Sequence, residues 1–155
     1  MKLELTLANS FWLIVPLLAW NIILGSRITQ AAITSDANSP KGLLIAENVV
    51  RILVFALPLL IPLPRGADWR SALPKAGLSI YIVGTLIYFA SWLPLMFAPT
   101  SVWSNSIIGL LAPRLTPFLS FLGIALVGAS WPYGIVAAVF IFLHTLHGIQ
   151  NVSSQ

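Results

Sequence analysis

The chain has 155 residues, of which 58% are hydrophobic and 8% charged, with a mean hydropathy of +0.93. That composition lies outside the range of soluble domains and implies a polytopic membrane protein. The net charge of +4 comes from eight scattered Lys and Arg residues that form no basic stripe, which excludes a nucleic-acid partner, and the lack of cysteine excludes disulfides and thiol chemistry.

Apolar runs of roughly 20 residues match the length a helix needs to cross about 30 Å of hydrocarbon. Five are expected in one all-α transmembrane bundle forming a single domain, with four spans and a buried hairpin as the alternative. The first covers about Leu5 to Leu24. Pro16, Trp20 and Asn21 stand where a signal peptide would carry a small-residue cleavage site, so a retained helix is expected. Trp12, Pro16 and Trp20 share one face, with Trp20 near an interface and Trp12 deep enough to wall a pocket. A polar segment from Ser26 to Gly42 then has the composition of an exposed turn.

The second span, Leu43 to Leu63, holds Glu47, Asn48 and Arg51 inside an apolar run and carries Pro58 and Pro62 where it should kink. Ionisable groups at mid-span cost roughly 2.5 to 3.5 kcal/mol each, so they are expected to pair and to face the bundle interior. Glu47 and Arg51 are spaced i, i+4 and share one helical face. The loop that follows is the most basic in the chain, with Arg65, Arg70 and Lys75.

The third span, Leu78 to Phe97, has Tyr81, Thr85, Tyr88 and Trp92 along one face with Ser91 beside them, a stripe that either packs helices or lines a groove. Val102 to Leu111 is expected to form a short interfacial or re-entrant helix with Trp103 at headgroup depth. The fourth span is expected from Leu115 to Ser130, with Pro113 and Pro117 bracketing Arg114 at its start, and the fifth from there to Gly148. Small residues at Ala125, Ala129, Gly134 and Ala138 imply close packing of the last two helices on each other or on another subunit.

Counting Lys and Arg in the loops puts the N-terminus in the cytoplasm of a plasma-membrane protein. Glu47, Arg51, Asn21, Arg27, Arg114, His144 and His147 then fall near the opposite face. A polar pocket for a ligand is expected there from Glu47, Asn48, Arg51, Arg114, His144, His147, Asn21, Tyr88 and Trp92. The bland alternative is that Arg27 and Arg114 reach headgroups while the remaining polar groups satisfy nearby backbone. The spacing of His144 and His147 lets both rings face one site, where they could bind zinc, copper or iron with Glu47 as a carboxylate ligand from another helix, although Arg51 would compete for Glu47 and repel a cation. With two histidines and neither H-E-x-x-H nor H-x-x-E-H, no metal is expected; His144 and His147 are the candidates for one.

No nucleotide-binding glycine loop, no G-x-S-x-G elbow and no pair of membrane aspartates is present, and no cofactor is assigned. The first expectation is therefore a small membrane protein that binds an amphiphilic or lipid-like ligand, or an accessory subunit contacting other membrane subunits or itself, with the lipid bilayer as its surroundings. The alternatives are an enzyme acting on a lipid-soluble substrate, with Glu47 and His144 or His147 as acid and base, and an oligomeric ion or proton pathway past Glu47.

Overall fold

A computed structural model describes residues 8–27 and 40–153; within these, the backbone alone is described for 151–153. The chain folds as an all-α bundle. Helix α1 spans Phe11–Ile23, α2 Lys41–Ala56, α3 Ala72–Phe97, α4 Ile107–Leu115, α5 Pro117–Val127 and α6 Trp131–Ser153. By length and hydropathy, four segments among the described residues suffice to cross a membrane: Lys41–Leu60, Ala72–Phe97, Ile107–Val127 and Trp131–Gln150; α1 is a shorter apolar helix. Most of the Ser26 to Gly42 loop lies outside the described residues.

Proline sets the shape of α2. After Ala56 the helix tightens into a 3₁₀ turn, Leu57–Leu60, with Pro58 buried, and the chain then extends through Ile61 and Pro62. The extended segment is satisfied by the chain entering α1. Ser10 donates its amide to the Ile61 carbonyl at 2.8 Å, and Leu63 donates to Ala8 at 3.0 Å around an antiparallel bridge between Asn9 and Pro62. Backbone outside a helix at this end of the bundle is thereby paired, as a low-dielectric setting requires.

The boundaries around residues 99–117 differ from those expected. Residues 102–106 form turns, and the short helix is α4, which begins at Ile107 and runs with α5 as one span. The polar residues before it act as a cap rather than a surface helix: Ser106 Oγ accepts from the Gly109 amide at 3.0 Å and donates to the Trp103 carbonyl at 2.7 Å. Gly109 is needed here, because a side chain would overlap the Trp103 carbonyl oxygen. Pro113 sits inside α4 and Pro117 opens α5, so the prolines interrupt a span instead of starting one. Likewise α3 begins six residues before Leu78, with Pro74 in the first turn where its missing amide costs little.

Backbone approach is tightest between α3 and α5. A methyl group at Gly123 would lie 2.5 Å from the Tyr81 amide nitrogen, and one at Gly84 2.7 Å from that of Ser120. Glycine lets the two helices touch, and Thr85 and Ser120 hydroxyls bond across the seam at 3.1 Å. Tyr81, Tyr88, Trp92, Phe121, Ile124 and Phe140 fill the core beside it, joined by Ile14 and Leu17 of α1. The small residues of the last two spans behave differently: Ala125, Ala129, Gly134 and Ala138 all line an apolar groove of about 240 Å³, where Gly134 faces the Ala125 methyl.

Gly128, Ala129 and Ser130 reverse the chain between α5 and α6. Ser130 donates to the Ala125 carbonyl at 2.8 Å and Ala129 to Leu126 at 3.2 Å, the paired bonds of a Schellman ending. Ala129 has φ of +45°, a position usually given to glycine. The glycine stands one residue earlier, where a side chain would overlap the Ile61 side chain.

Candidate functional site

Up-and-down connectivity brings the middle of α2, the second half of α6, the end of α1, the end of α3 and the whole of α4 to one end of the bundle. Glu47 on α2 is the centre of this end. It is 1% exposed, and both of its oxygens are occupied. Oε1 lies 2.8 Å from His144 Nδ1 and also pairs with Arg51; Oε2 lies 2.7 Å from His147 Nδ1. The i, i+3 spacing on α6 aims both imidazoles at one carboxylate, while the i, i+4 spacing on α2 brings Arg51 to it.

This pattern sets the protons. A carboxylate paired with a guanidinium has no hydrogen to give, so each Nδ1 donates, and a neutral imidazole then bears its lone pair on Nε2. The two histidines are not equivalent. The His144 side chain is 28% exposed and its ring stacks on Phe140, with centroids 5.3 Å apart; the His147 side chain is 12% exposed.

Beside the cluster lies a cleft of about 410 Å³. Its polar border comprises Arg51, Arg114, His144, Asn21 and Tyr88; Leu17, Leu18, Phe55, Trp92, Phe121 and Phe140 form the apolar wall. The volume falls within the usual range for small-molecule sites of about 300 to 1,000 Å³. Tyr88 donates its hydroxyl to Asn21 Oδ1 at 2.9 Å, and Asn21 donates to the Leu17 carbonyl at 2.7 Å, closing the α1 side. Arg114 reaches α6 across the backbone of Gly148, where any side chain would collide with the guanidinium. Five helices thus supply polar groups to one place, through side chains that are far apart in sequence.

No known protein family, characterised protein or solved structure matches this chain. The chemistry of the site therefore rests on its own geometry.

Of the nine residues expected at a pocket, six border the cleft: Asn21, Arg51, Tyr88, Trp92, Arg114 and His144. Glu47 and His147 stand behind it and hold His144. Asn48 is exposed on α2 and lies outside the cleft lining, since one step along a helix turns the side chain by about 100° from Glu47. Trp12 is 60% exposed and lies outside the cleft lining; Trp20 stacks on Phe89, with centroids 4.2 Å apart. Arg27 lies over the Phe97 ring at 5.4 Å. As for a metal, no cluster of three or more His, Asp or Glu among the described residues has suitable geometry, and the Nδ1 atoms of both histidines are turned onto Glu47 as hydrogen-bond partners.

The stripe on α3 serves both roles that its spacing allowed. Tyr81 and Thr85 are buried against α5, whereas Tyr88 and Trp92 reach the cleft. Phe55, Phe121, Phe140 and Gly148 belong to the site without having been singled out in sequence. Their side chains are ordinary for a membrane span, and only the packing of α2, α5 and α6 brings the three phenylalanines together.

Proposed function

We propose that this protein binds an anionic amphiphile drawn from the bilayer, with its headgroup at Arg51 and Arg114 and its apolar part against Phe55, Phe121, Phe140 and Trp92. One observation carries this: a single cleft joins two arginine side chains to an aromatic wall. Guanidinium groups match carboxylate and phosphate geometry, and low-dielectric surroundings strengthen the pairing. The basic loop residues Arg65 and Arg70 lie at the opposite end of the bundle from the cleft. By the positive-inside rule this supports a plasma-membrane orientation with a cytoplasmic N-terminus and the cleft in the outer half.

The test is native mass spectrometry of the protein released from mild detergent after incubation with phosphatidate, phosphatidylglycerol or palmitate. Retention of at least one of these, weakened by Arg114→Gln, is the expected result. Failure to retain any of the three refutes the proposal.

A further inference from the structure

The amphiphile reading leaves the imidazole at the cleft edge without a task. Arginines alone suffice for a headgroup that is permanently ionised, such as a phosphodiester. What the cleft adds is a base. His144 borders it, while its Nδ1 is held on Glu47 Oε1 at 2.8 Å, which leaves Nε2 as the nitrogen able to accept a proton. The charged and titratable groups around this ring are Glu47 and Arg51 on α2, Tyr88 on α3, Arg114 on α4 and His147 on its own helix, with the amide of Asn21 on α1.

We infer that the ligand is an amphiphilic carboxylic acid that surrenders its proton to His144 Nε2 as it binds. The inference rests on the amphiphile reading and names its ligand class. In the step, the O–H bond of the acid breaks and an N–H bond forms on Nε2; the electron pair stays on the carboxylate, which lies with Arg51 and Arg114. The resulting imidazolium is stabilised by Glu47 through Nδ1–H and by the stacked face of Phe140. A neutral acid crosses hydrocarbon without the cost of a buried charge, so ionisation belongs in the cleft rather than before entry. His147 is a positioning residue: its Nδ1 holds Oε2 of Glu47 at 2.7 Å and so fixes the carboxylate that orients His144.

The experiment is isothermal titration of palmitate into the full-length protein in phosphatidylcholine nanodiscs at about pH 9, where ordinary imidazoles are neutral and the free acid is largely ionised. Titrations in two buffers of different ionisation enthalpy count the protons taken up. Net proton uptake, at most one per bound palmitate, is expected, because complex and free states differ by protonation of one imidazole. His144→Gln should bind more weakly and take up none, while hexadecanol should not bind measurably at the same concentration.

Palmitate binding without proton uptake overturns the inference and leaves the amphiphile reading standing. Binding of phosphatidate but not palmitate does the same, as does hexadecanol binding as tightly as palmitate. Binding of neither palmitate nor phosphatidate or phosphatidylglycerol overturns both. Should His144→Gln fail to fold, the two-buffer comparison on the unsubstituted protein still decides.

Discussion

Glu47→Ala removes the acceptor shared by Arg51, His144 and His147, and the cost follows from how exposed each donor is. Arg51, with its side chain 42% exposed, can swing its guanidinium to water or headgroups and recover most of its hydrogen bonding. His144 can turn toward the cleft, but His147 keeps a buried N–H without its acceptor. A buried donor left unsatisfied costs about 1 to 3 kcal/mol, and the loss of charge-assisted bonds adds to it. The expected destabilisation is about 3 to 5 kcal/mol, the range for breaking a buried ionic group by deleting one partner. Arg51→Met should cost less, about 1 to 2 kcal/mol, because two imidazole N–H groups still hold the carboxylate. Glu47→Gln should fall in the same lower range: its oxygen still accepts from Arg51 and His144, and its amide can donate to the other tautomer of His147. Reversible unfolding in mixed micelles of rising SDS fraction, followed by circular dichroism, gives the order directly. If Arg51→Met proves as damaging as Glu47→Ala, the imidazoles contribute nothing to the carboxylate and the cluster described here is wrong.

Gly123→Ala should destabilise by about 1 to 3 kcal/mol in the same assay, since the new methyl meets the Tyr81 backbone, which cannot move aside without separating α3 from α5. Gly134→Ala, with the nearest atom at 3.5 Å, should stay within about 0.5 kcal/mol of the parent; equal effects would discount the α3–α5 seam. Ala129→Gly should raise stability by about 0.5 to 1 kcal/mol, because it relieves a left-handed alanine in the α5–α6 turn. Gly148→Ala should displace the end of a flexible Arg114 side chain, weakening palmitate or phosphatidate retention several-fold while shifting stability by about 1 kcal/mol or less; unchanged retention would remove Arg114 from the site.

The cost of burying charge makes the candidate site legible in the sequence. Glu47 and Arg51 share a helical face by spacing, His144 and His147 do so by theirs, and alternating spans put all four at one end of the bundle. Spacing within a helix cannot say which helix lies opposite, so the meeting of α2 with α6 on one carboxylate required the packed structure. Hydropathy also misplaced the start of the fourth span, because Ser104, Asn105 and Ser106 look like surface residues. Two of those serines are turned inward on backbone: Ser104 Oγ donates to the Ala98 carbonyl at 2.8 Å, and Ser106 caps α4. Small-residue spacing points to close packing of the last two helices on each other or on another subunit, whereas the closest approach is α3 on α5 through Gly84 and Gly123, and spacing alone does not say which helix such a glycine meets.

The cleft has walls of unequal stiffness. Its α5 side is backed by a seam in which main chain touches main chain, so nothing there can yield by turning a side chain. Near the polar end, its α1 side is held by the Tyr88 to Asn21 hydrogen bond and the Trp20 to Phe89 ring stack, both of which side-chain rotation can break. If the cleft takes the proposed guest, α1 is the wall that can give way by side-chain rotation, and the backbone bridge between Asn9 and Pro62 ties that helix at its far end. On that proposal, the size of guest the cleft admits would be set by the compliance of a single short helix.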